Sequence, residues 1–435
     1  MTDTAAPPRP GPSRLSVASW VVYDLANTIF SMNIVSLYFS LWVVNVMGGT
    51  DAHYGNATSI SMAVIFVVSP FLGALTDQYP RRMPFLVWST LICVGLTAFL
   101  GREGLMPSLV LFAVANIAYQ AGLQFYDALL PEVSTEGNRG RIGGIGVGVG
   151  YVGSFIGILV GMAVLRGVES LPRAAQSARY ADLFLVTAVL FLVFALPCFF
   201  FVRERPKPCR GNGSASFTRA FRQVADTVRS GERYPGLLRF LIGRAFYTDA
   251  INTVNTFMGI YVTNQVGFTT DQVSYVLMLA VACAVAGGFA WGRVVDRIGP
   301  KRTLDIVLFL WMADFAWAAA VGFFHLPAVL FWPVPALAGI SMGGTWAADR
   351  PYMLRLAPPA RIGEFYGLYG MVGRFSAVTG PFLWGFVADT LGLGRPAALM
   401  TLLAAIVVSY VVLRPVSDAP RHWTGDDAVG PGTAP

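Results

Sequence analysis

Two short stretches place carboxylates and other polar side chains inside apolar segments, where such groups are costly. The first is "YDLANTIFS" at 23–31, and the second is "DAINTVNT" at 249–256. In a helix, positions i, i+3, i+4 and i+7 share one face, so each stretch predicts a single polar stripe. A carboxylate there can take up a proton when it loses a cationic partner. The stripes consist of Asp24, Asn27, Thr28 and Ser31, and of Asp249, Asn252, Thr253 and Thr256.

Such stripes turn away from lipid, toward either protein or a water-filled pathway. A stripe that faces protein only bonds neighbouring helices, whereas one that faces water can line a pathway. Further charges at membrane depth are Arg244, Arg350 and Arg374 among the cations, and Asp127 and Asp314 among the anions. Of these, Asp314 lies among aromatic residues and is the one most readily assigned to a structural role.

Arg374 places a permanent positive charge deep inside an apolar segment. It lies about ten residues into its segment, or roughly 15 Å along a helix, which places it near the middle of a membrane. A guanidinium at that depth needs an anionic partner and offers forked donors that match a carboxylate. The candidates are an aspartate such as Asp24 in the empty protein and the carboxylate of a bound molecule that competes with it. A static bridge to Asp24 or Asp127 is the alternative.

The composition decides which solvent these segments face. Of the 435 residues, 55% are hydrophobic and 13% are charged, and the mean hydropathy is +0.59. These values exclude an ordinary soluble protein and predict an all-α integral membrane protein, since a helix needs about 20 apolar residues to span a bilayer. Twelve such segments are expected at 17–47, 58–78, 84–101, 107–130, 142–166, 181–203, 236–263, 271–293, 303–324, 327–355, 363–391 and 395–414.

Basic residues indicate the orientation of these segments. If both termini are cytoplasmic, most Lys and Arg fall in the tails or in connections on the same side. The positive-inside rule then favours this topology, in an inner (plasma) membrane. The net charge of +7 is therefore a topology signal and does not indicate nucleic-acid binding. The arginines expected outside are Arg102, Arg166, Arg173, Arg179 and Arg395.

A polar connection at 203–236 divides the segments six and six. We expect a cytoplasmic tail at 1–15, a first bundle at 16–203, a linker at 204–235, a second bundle at 236–414 and a cytoplasmic tail at 415–435. In the linker, Phe217, Phe221, Val224 and Val228 repeat at helical spacing, which predicts an amphipathic helix on the membrane surface. A solvated linker helix is the alternative.

The two halves repeat each other's sequence signals. "GALTD" at 73–77 and "GRVVD" at 292–296 both close a second segment and lead into basic residues, and "RIGG" at 141–144 matches "RIGE" at 361–364. These matches predict a duplicated six-helix unit with a gate on the cytoplasmic side. The gate residues are Gly73, Asp77, Arg81, Arg82, Gly292, Asp296, Arg297, Lys301 and Arg302.

Other chemistries find no support in the sequence. The cysteines sit in spans or in a cytoplasmic connection, and the histidines His53, His325 and His422 are widely separated. No nucleophile with a base, metal site or phosphate-binding loop stands out. We therefore expect neither an enzyme nor a cofactor or metal requirement.

The two halves, each with a Gly-x-x-x-Asp motif after its second segment, resemble the major facilitator superfamily (MFS). The copy "GRVVDRIGPKR" fits the motif throughout, whereas Gln78 and Pro80 replace the usual Arg and Gly in the first copy. The strings "WVVYDLAN", "FLIGRAFYTDA" and "RIGEFYGLYGMVGRFSAVTGP" are similar to the vacuole-effluxer-like branch. That branch holds the autophagy-linked fungal vacuolar amino-acid exporters and their bacterial relatives. Departures from it are Asp127, where Asn is usual, "ADRP" at 348–351, and Arg374, where Lys is common.

This resemblance implies two pseudo-symmetric six-helix bundles around a central cavity, with both polar stripes facing that cavity as one pathway for solute or protons. We expect a monomeric secondary transporter that moves a small polar or zwitterionic solute, an amino acid first of all, by alternating access. The expected partners are that solute, a coupling proton and membrane lipid, with no nucleic acid. The alternatives are a polyspecific exporter of hydrophobic metabolites or drugs, and a transport-dead membrane receptor.

Overall fold

A computed structural model describes residues 12–205, 222, 226–227, 234–421 and 423. Within these ranges the chain is helical and contains no strand. The predicted amphipathic helix of the linker lies outside the described residues.

Twelve long helices follow one another through the described residues. Their bounds are Arg14–Phe30 (α1), Asp51–Asp77 (α2), Met83–Ala98 (α3), Leu105–Asp127 (α4), Arg139–Val164 (α5), Arg173–Phe201 (α6), Leu237–Tyr261 (α7), Thr270–Ile298 (α8), Pro300–Phe323 (α9), Pro333–Leu356 (α10), Ile362–Gly385 (α11) and Gly394–Leu413 (α12). The helical path of α1 continues through π-helical turns at Ser31–Leu37 and Trp42–Val46, with Tyr38–Leu41 between them. Each expected segment corresponds to one of these helices.

Nine of the described helices are long and apolar enough to cross a membrane. The apolar helix α3 is shorter, whereas α7 and α11 fall outside this set and carry the buried Arg244 and Arg374. Both of these helices thus carry a buried arginine, although buried charges also lie on helices within the set, such as Asp349 on α10.

The helices pair in the same pattern in both halves of the chain. In the first half α1 packs against α5 and α6, and α4 packs against α2 and α3. In the second half α7 packs against α11 and α12, and α10 packs against α8 and α9. The equivalent pairings form two six-helix bundles with the same internal arrangement, as the repeated motifs predicted.

Glycines form the seams where the two bundles meet. Along α5 and α8, a side-chain carbon on Gly144 would lie 2.4 Å from the carbonyl oxygen of Gly288. Along α2 and α11, a side-chain carbon on Gly73 would lie 2.1 Å from the carbonyl oxygen of Gly363. Both contacts are backbone to backbone, so only glycine permits this approach. The seams lie where α2 and α8 end and α5 and α11 begin.

Residues 203–205 and 234–236, which flank the linker, lie at the same ends of the bundles, and we call this the linker side. Glu204, just after α6, accepts hydrogen bonds from the backbone N–H groups of Arg82 (2.5 Å) and Met83 (2.8 Å) at the start of α3. In the second bundle Asp418, just after α12, accepts one from Lys301 at the start of α9 (3.0 Å). These carboxylates satisfy N–H groups that a helix leaves unpaired in its first turn.

Candidate functional site

A cavity of about 660 Å³ lies between the two bundles. Polar, charged and aromatic side chains from both bundles line it. Those of the first bundle include Asp24, Asn27, Thr28, Ser31, Tyr119, Gln120, Gln124, Asp127 and Tyr151. Those of the second bundle include Arg244, Thr248, Asn252, Asn255, Thr256, Trp346, Arg350, Tyr366, Tyr369 and Arg374.

The first polar stripe lies along this cavity in full. Aromatic packing fixes it, since Trp20 stacks on Tyr126 with ring centroids 4.5 Å apart and donates from Nε1 to the Tyr126 carbonyl (3.3 Å). Asp24 lies one turn after Trp20 on α1 and Asp127 directly follows Tyr126 on α4, and both line the cavity. Asn27 is only 2% exposed, and both polar atoms of its side chain lack a hydrogen-bond partner among the described residues.

Arg350 of the second bundle connects these two carboxylates. Its Nη1 lies 3.4 Å from Asp24 Oδ2, and its Nε lies 3.1 Å from Asp127 Oδ1. The Arg350 side chain is 14% exposed and the two carboxylates are 8% and 11% exposed, so water screens these pairs poorly. This three-residue bridge joins α10 to α1 and α4, and so ties one bundle to the other.

A second charged cluster is buried within the second bundle. Arg244 Nε donates to Asp349 Oδ2 (3.2 Å), and the Arg244 guanidinium carbon lies 3.5 Å from the ring centroid of Tyr369. Asp349 also accepts from the hydroxyls of Tyr247 (2.5 Å) and Tyr369 (2.8 Å) and is 0% exposed. The charge of Arg244 is therefore balanced inside its own bundle. Sequence reasoning noted the string at 348–351 but missed Asp349 as the partner of Arg244.

Arg374 differs from the other two cavity arginines. It is 8% exposed, donates from Nη1 to Ser69 Oγ (2.9 Å) and from Nη2 to the Gln120 carbonyl (2.8 Å), and its Nε has no partner among the described residues. No described carboxylate oxygen lies within 4.0 Å of it. The expected partner without solute, Asp24, is bound to Arg350 instead. Arg374 thus presents a positive charge at the cavity wall without a direct ion pair among the described residues.

The second stripe is divided between two surfaces of α7. Asn252 and Thr256 line the cavity, together with Thr248, but Asp249 and Thr253 do not. Successive residues are rotated by about 100° around a helix axis. The orientation of α7 about its axis places Asp249 and Thr253 toward α11. There Asp249 Oδ1 accepts from Thr379 Oγ1 (2.7 Å). The sequence twins Asp24 and Asp249 therefore have different surroundings.

Asp314 lies apart from the cavity, in α9. It is 1% exposed, and neither carboxylate oxygen has a hydrogen-bond partner among the described residues. The nearby Trp311 donates to Thr345 Oγ1 (3.0 Å). Nothing in these contacts links Asp314 to the cavity.

The two gate carboxylates bond the opposite bundle. Asp77, at the end of α2, accepts from the backbone N–H groups of Gly363 (3.0 Å) and Glu364 (2.8 Å) at the start of α11, and pairs with Arg82 at 2.5 Å. Asp296, near the end of α8, accepts from Gly140 (2.7 Å) and Arg141 (2.9 Å) at the start of α5. An anion at a helix N-terminus is stabilised by unpaired N–H groups and by the helix dipole.

Contrary to the expectation from the sequence, the basic residues of the predicted gate do not all pair with the gate carboxylates. Arg82 pairs with Asp77, but Lys301 pairs with Asp305 one turn along its own helix. Among the described residues, Arg81, Arg297 and Arg302 form no ion pair. Backbone N–H groups, more than clustered arginines, are therefore the partners of the two gate carboxylates.

Comparison with known proteins agrees with this architecture. Residues 132–421 match the model of a family described as vacuole effluxer Atg22 like. The uncharacterized MFS-type transporter YxiO of Bacillus subtilis (strain 168) is 24% identical over 91% of this chain and 93% of its own length. Autophagy-related protein 22-1 of Aspergillus niger is 25% identical over 63% of this chain, but the match spans only 47% of the fungal protein.

Solved structures show the same fold. The human organic anion transporter MFSD10 superposes with a TM-score of 0.70 at 15% identity, covering 92% of this chain and 98% of MFSD10. The MFS transporter FucP in the outward conformation superposes with a TM-score of 0.68 at 13% identity, covering 92% of this chain and 97% of FucP. The family match spans most of the chain, and the twelve helices have the MFS arrangement. The chain belongs to the vacuole effluxer Atg22-like family of MFS-type transporters.

Proposed function

We propose that this protein is a secondary active transporter that exports a small zwitterionic solute, an amino acid, through the cavity between its bundles. The observation that carries the proposal is Arg374, a buried guanidinium at the cavity wall without a carboxylate partner among the described residues. A solute carboxylate would supply the missing anion through a forked pair of hydrogen bonds. On the first bundle, the side-chain oxygen of Asn27, which has no hydrogen-bond partner among the described residues, can accept from the ammonium group of the same solute.

Alternating access is supported by how the bundles meet. The glycine seams and the contacts of Asp77 and Asp296 close the linker side. The exposed, cavity-lining Asn255 and Thr256 lie toward the other end of α7. With both termini cytoplasmic in an inner membrane, this is the outward-facing form of a monomeric carrier. Opening the seams on the linker side would give the inward-facing form.

Solute binding and bundle movement share the same atoms. Arg374 belongs to the second bundle, whereas both of its bonded partners, Ser69 Oγ and the Gln120 carbonyl, belong to the first. A solute carboxylate that draws the guanidinium into the cavity competes with these bonds between bundles. Binding would therefore weaken the closed linker side, because a ligand shifts an equilibrium by its differential affinity for the two states.

Proton coupling is supported by the bridge of Arg350 to Asp24 and Asp127. Two carboxylates share one cation there, in a poorly hydrated site. Protonation of either one removes half of the negative charge that binds Arg350 across the bundles. We propose that a proton on Asp24 loosens this bridge during the transport cycle.

Aromatic side chains in the cavity favour one second candidate, a polyspecific exporter of hydrophobic molecules. Four aromatic side chains line the cavity: Tyr119 and Tyr151 from the first bundle, and Trp346 and Tyr366 from the second. Charged and amide side chains nevertheless line the same walls, and hydrophobic cargo would leave their hydrogen-bonding capacity unused. Counterflow assays in proteoliposomes with labelled amino acids and with lipophilic cations would separate the two functions.

The test of the proposed function uses Arg374→Gln. The variant keeps a polar side chain that is shorter and has no charge, so we expect it to weaken binding of the amino acid far more than binding of its carboxamide analogue. Loss of a charge-assisted pair should cost about tenfold or more in affinity for the acid. Isothermal titration of both ligands against both proteins measures the difference.

Arg374→Lys is the matched control, because it keeps the positive charge and loses the forked pair of N–H donors. It should retain a preference for the acid over the amide. Equal weakening of acid and amide by Arg374→Gln would contradict carboxylate recognition and leave Arg374 a structural role between the bundles.

A further inference from the structure

A small oxygen-lined site lies between α7 and α11, outside the central cavity. Asp249, near the middle of α7, accepts from Thr379 Oγ1 (2.7 Å) and from the backbone N–H of Gly380 on α11. The position that a side-chain carbon on Gly380 would take is 2.9 Å from Asp249 Oδ1 and 1.7 Å from Thr253 Oγ1. Carboxylate and hydroxyl oxygens thus converge where a glycine allows the two helices to meet.

Asp249 is hydrogen-bonded here but has no cationic partner among the described residues, and Thr253 has no partner at all among them. Asp249 forms no ion pair with any described residue. Thr253 is 0% exposed, and its hydroxyl has no hydrogen-bond partner in the described part of the chain. A buried hydroxyl without a partner and a carboxylate without a cation are both costly at membrane depth. One bound cation would compensate both, since it needs oxygen ligands and a negative charge.

We infer that Asp249, Thr253 and Thr379 form a binding site for a monovalent alkali cation, with Na⁺ as the ion. Hard cations are bound by carboxylate, hydroxyl and carbonyl oxygens. The site offers one carboxylate, which neutralises a single positive charge. A divalent ion would leave an uncompensated charge among neutral groups. Asp249 itself is partly exposed, which gives a hydrated ion a route to the site.

The site is placed to influence the transport pathway. Thr248 and Asn252, which line the cavity, flank Asp249 on α7. The partner helix α11 carries Arg374, so an ion that draws α7 and α11 together fixes two walls of the cavity. The role as a coupling ion rests on the proposed transport function, but cation binding itself does not, because it is measured without solute.

The experiment compares the thermal stability of the purified full-length protein in NaCl and in choline chloride, at constant ionic strength and pH. We expect Na⁺ to raise the melting temperature saturably. Asp249→Asn and Thr253→Val should weaken the apparent Na⁺ affinity about tenfold or more, because each removes an oxygen or charge that contacts the ion. Thr253→Ser keeps the hydroxyl and should keep the response.

Thr263→Val is the matched control, because the Thr263 hydroxyl is exposed and bonds the Gly259 carbonyl of its own helix (2.9 Å). It should respond to Na⁺ as the native protein does. A melting temperature that is indifferent to Na⁺, or a response that Thr253→Val leaves unchanged, would overturn the inference. Stabilisation that follows pH alone would assign Asp249 to a proton and overturn it as well.

Discussion

At the scale of single residues, the shared bridge of Arg350 makes Asp24 the carboxylate whose loss is most informative. Asp24→Asn keeps the shape of the side chain and leaves Arg350 paired with Asp127, so the protein should fold and insert. Because an amide does not titrate, we expect the variant to lose uphill transport driven by a pH gradient. Uptake of labelled solute into proteoliposomes, with and without the gradient, measures this.

Solute counterflow is the control for that variant, since exchange needs no net proton movement. It should continue while concentrative uptake stops. Uphill uptake at the native rate would contradict proton transfer through Asp24 and restrict the residue to holding Arg350.

Periodicity in the sequence located some residues that line the cavity and missed others for physical reasons. The four residues of the first stripe share a helix face and do line the cavity. The same spacing in α7 gives no information on how far that helix is rotated, so Asp249 and Thr253 turned out to face α11. The pairing of Asp349 with Arg244 depends on how α10 packs beside α7, which spacing within one segment does not specify.

At the scale of the helices, Asp77 connects the end of α2 to the start of α11. Asp77→Ala removes two hydrogen bonds from the backbone of the opposite bundle and leaves Arg82 without that ion pair. We expect a shift toward the form that is open on the linker side. A gate contact worth about 1–3 kcal/mol would change the ratio of the two forms about 5- to 150-fold. Labelling rates of single cysteines placed near the linker-side mouth report this ratio.

Asp305→Ala is the control for the gate, because Asp305 pairs with Lys301 within α9 and does not join the bundles. The cysteine labelling rates of this variant should equal those of the native protein. If the labelling rates of Asp77→Ala also equalled those of the native protein, the gate role of Asp77 would be contradicted. Its charge would then matter only for the orientation of the helices in the membrane.

The helices themselves were predictable because lipid demands long apolar runs, whereas their ends were less so. The expected sixth segment began at 181, but α6 begins at Arg173. Polar residues such as Gln176 continue the helix beyond the apolar run, and Pro172 precedes its first turn. Hydrophobicity locates the part of a helix in the membrane, whereas capping and local contacts decide where the helix ends.

At the scale of the whole molecule, two bundles can close only where their backbones fit together. The repeats predicted two equivalent halves, but neither seam was evident, because a glycine in the sequence does not reveal which helix it touches. Gly143 and Gly144 illustrate this, since they are neighbours in α5. A side-chain carbon on Gly144 would lie 2.6 Å from the Cα of Gly292 on α8, whereas one on Gly143 would have no atom within 4 Å.

These neighbours give a matched test of alternating access. Gly144→Ala adds one methyl group against the backbone of the other bundle, which has no flexible side chain that can move aside. We therefore expect the seam between α5 and α8 to open, with faster cysteine labelling on the linker side and slower labelling of the opposite mouth. Gly143→Ala adds the same methyl group in open space and should stabilise the helix by roughly 0.5–1 kcal/mol without changing either labelling rate. Reciprocal changes at the two mouths in Gly144→Ala alone would connect the seam to the movement of whole bundles. Faster labelling at both mouths would instead indicate a loosened protein and contradict the rocking of two rigid bundles.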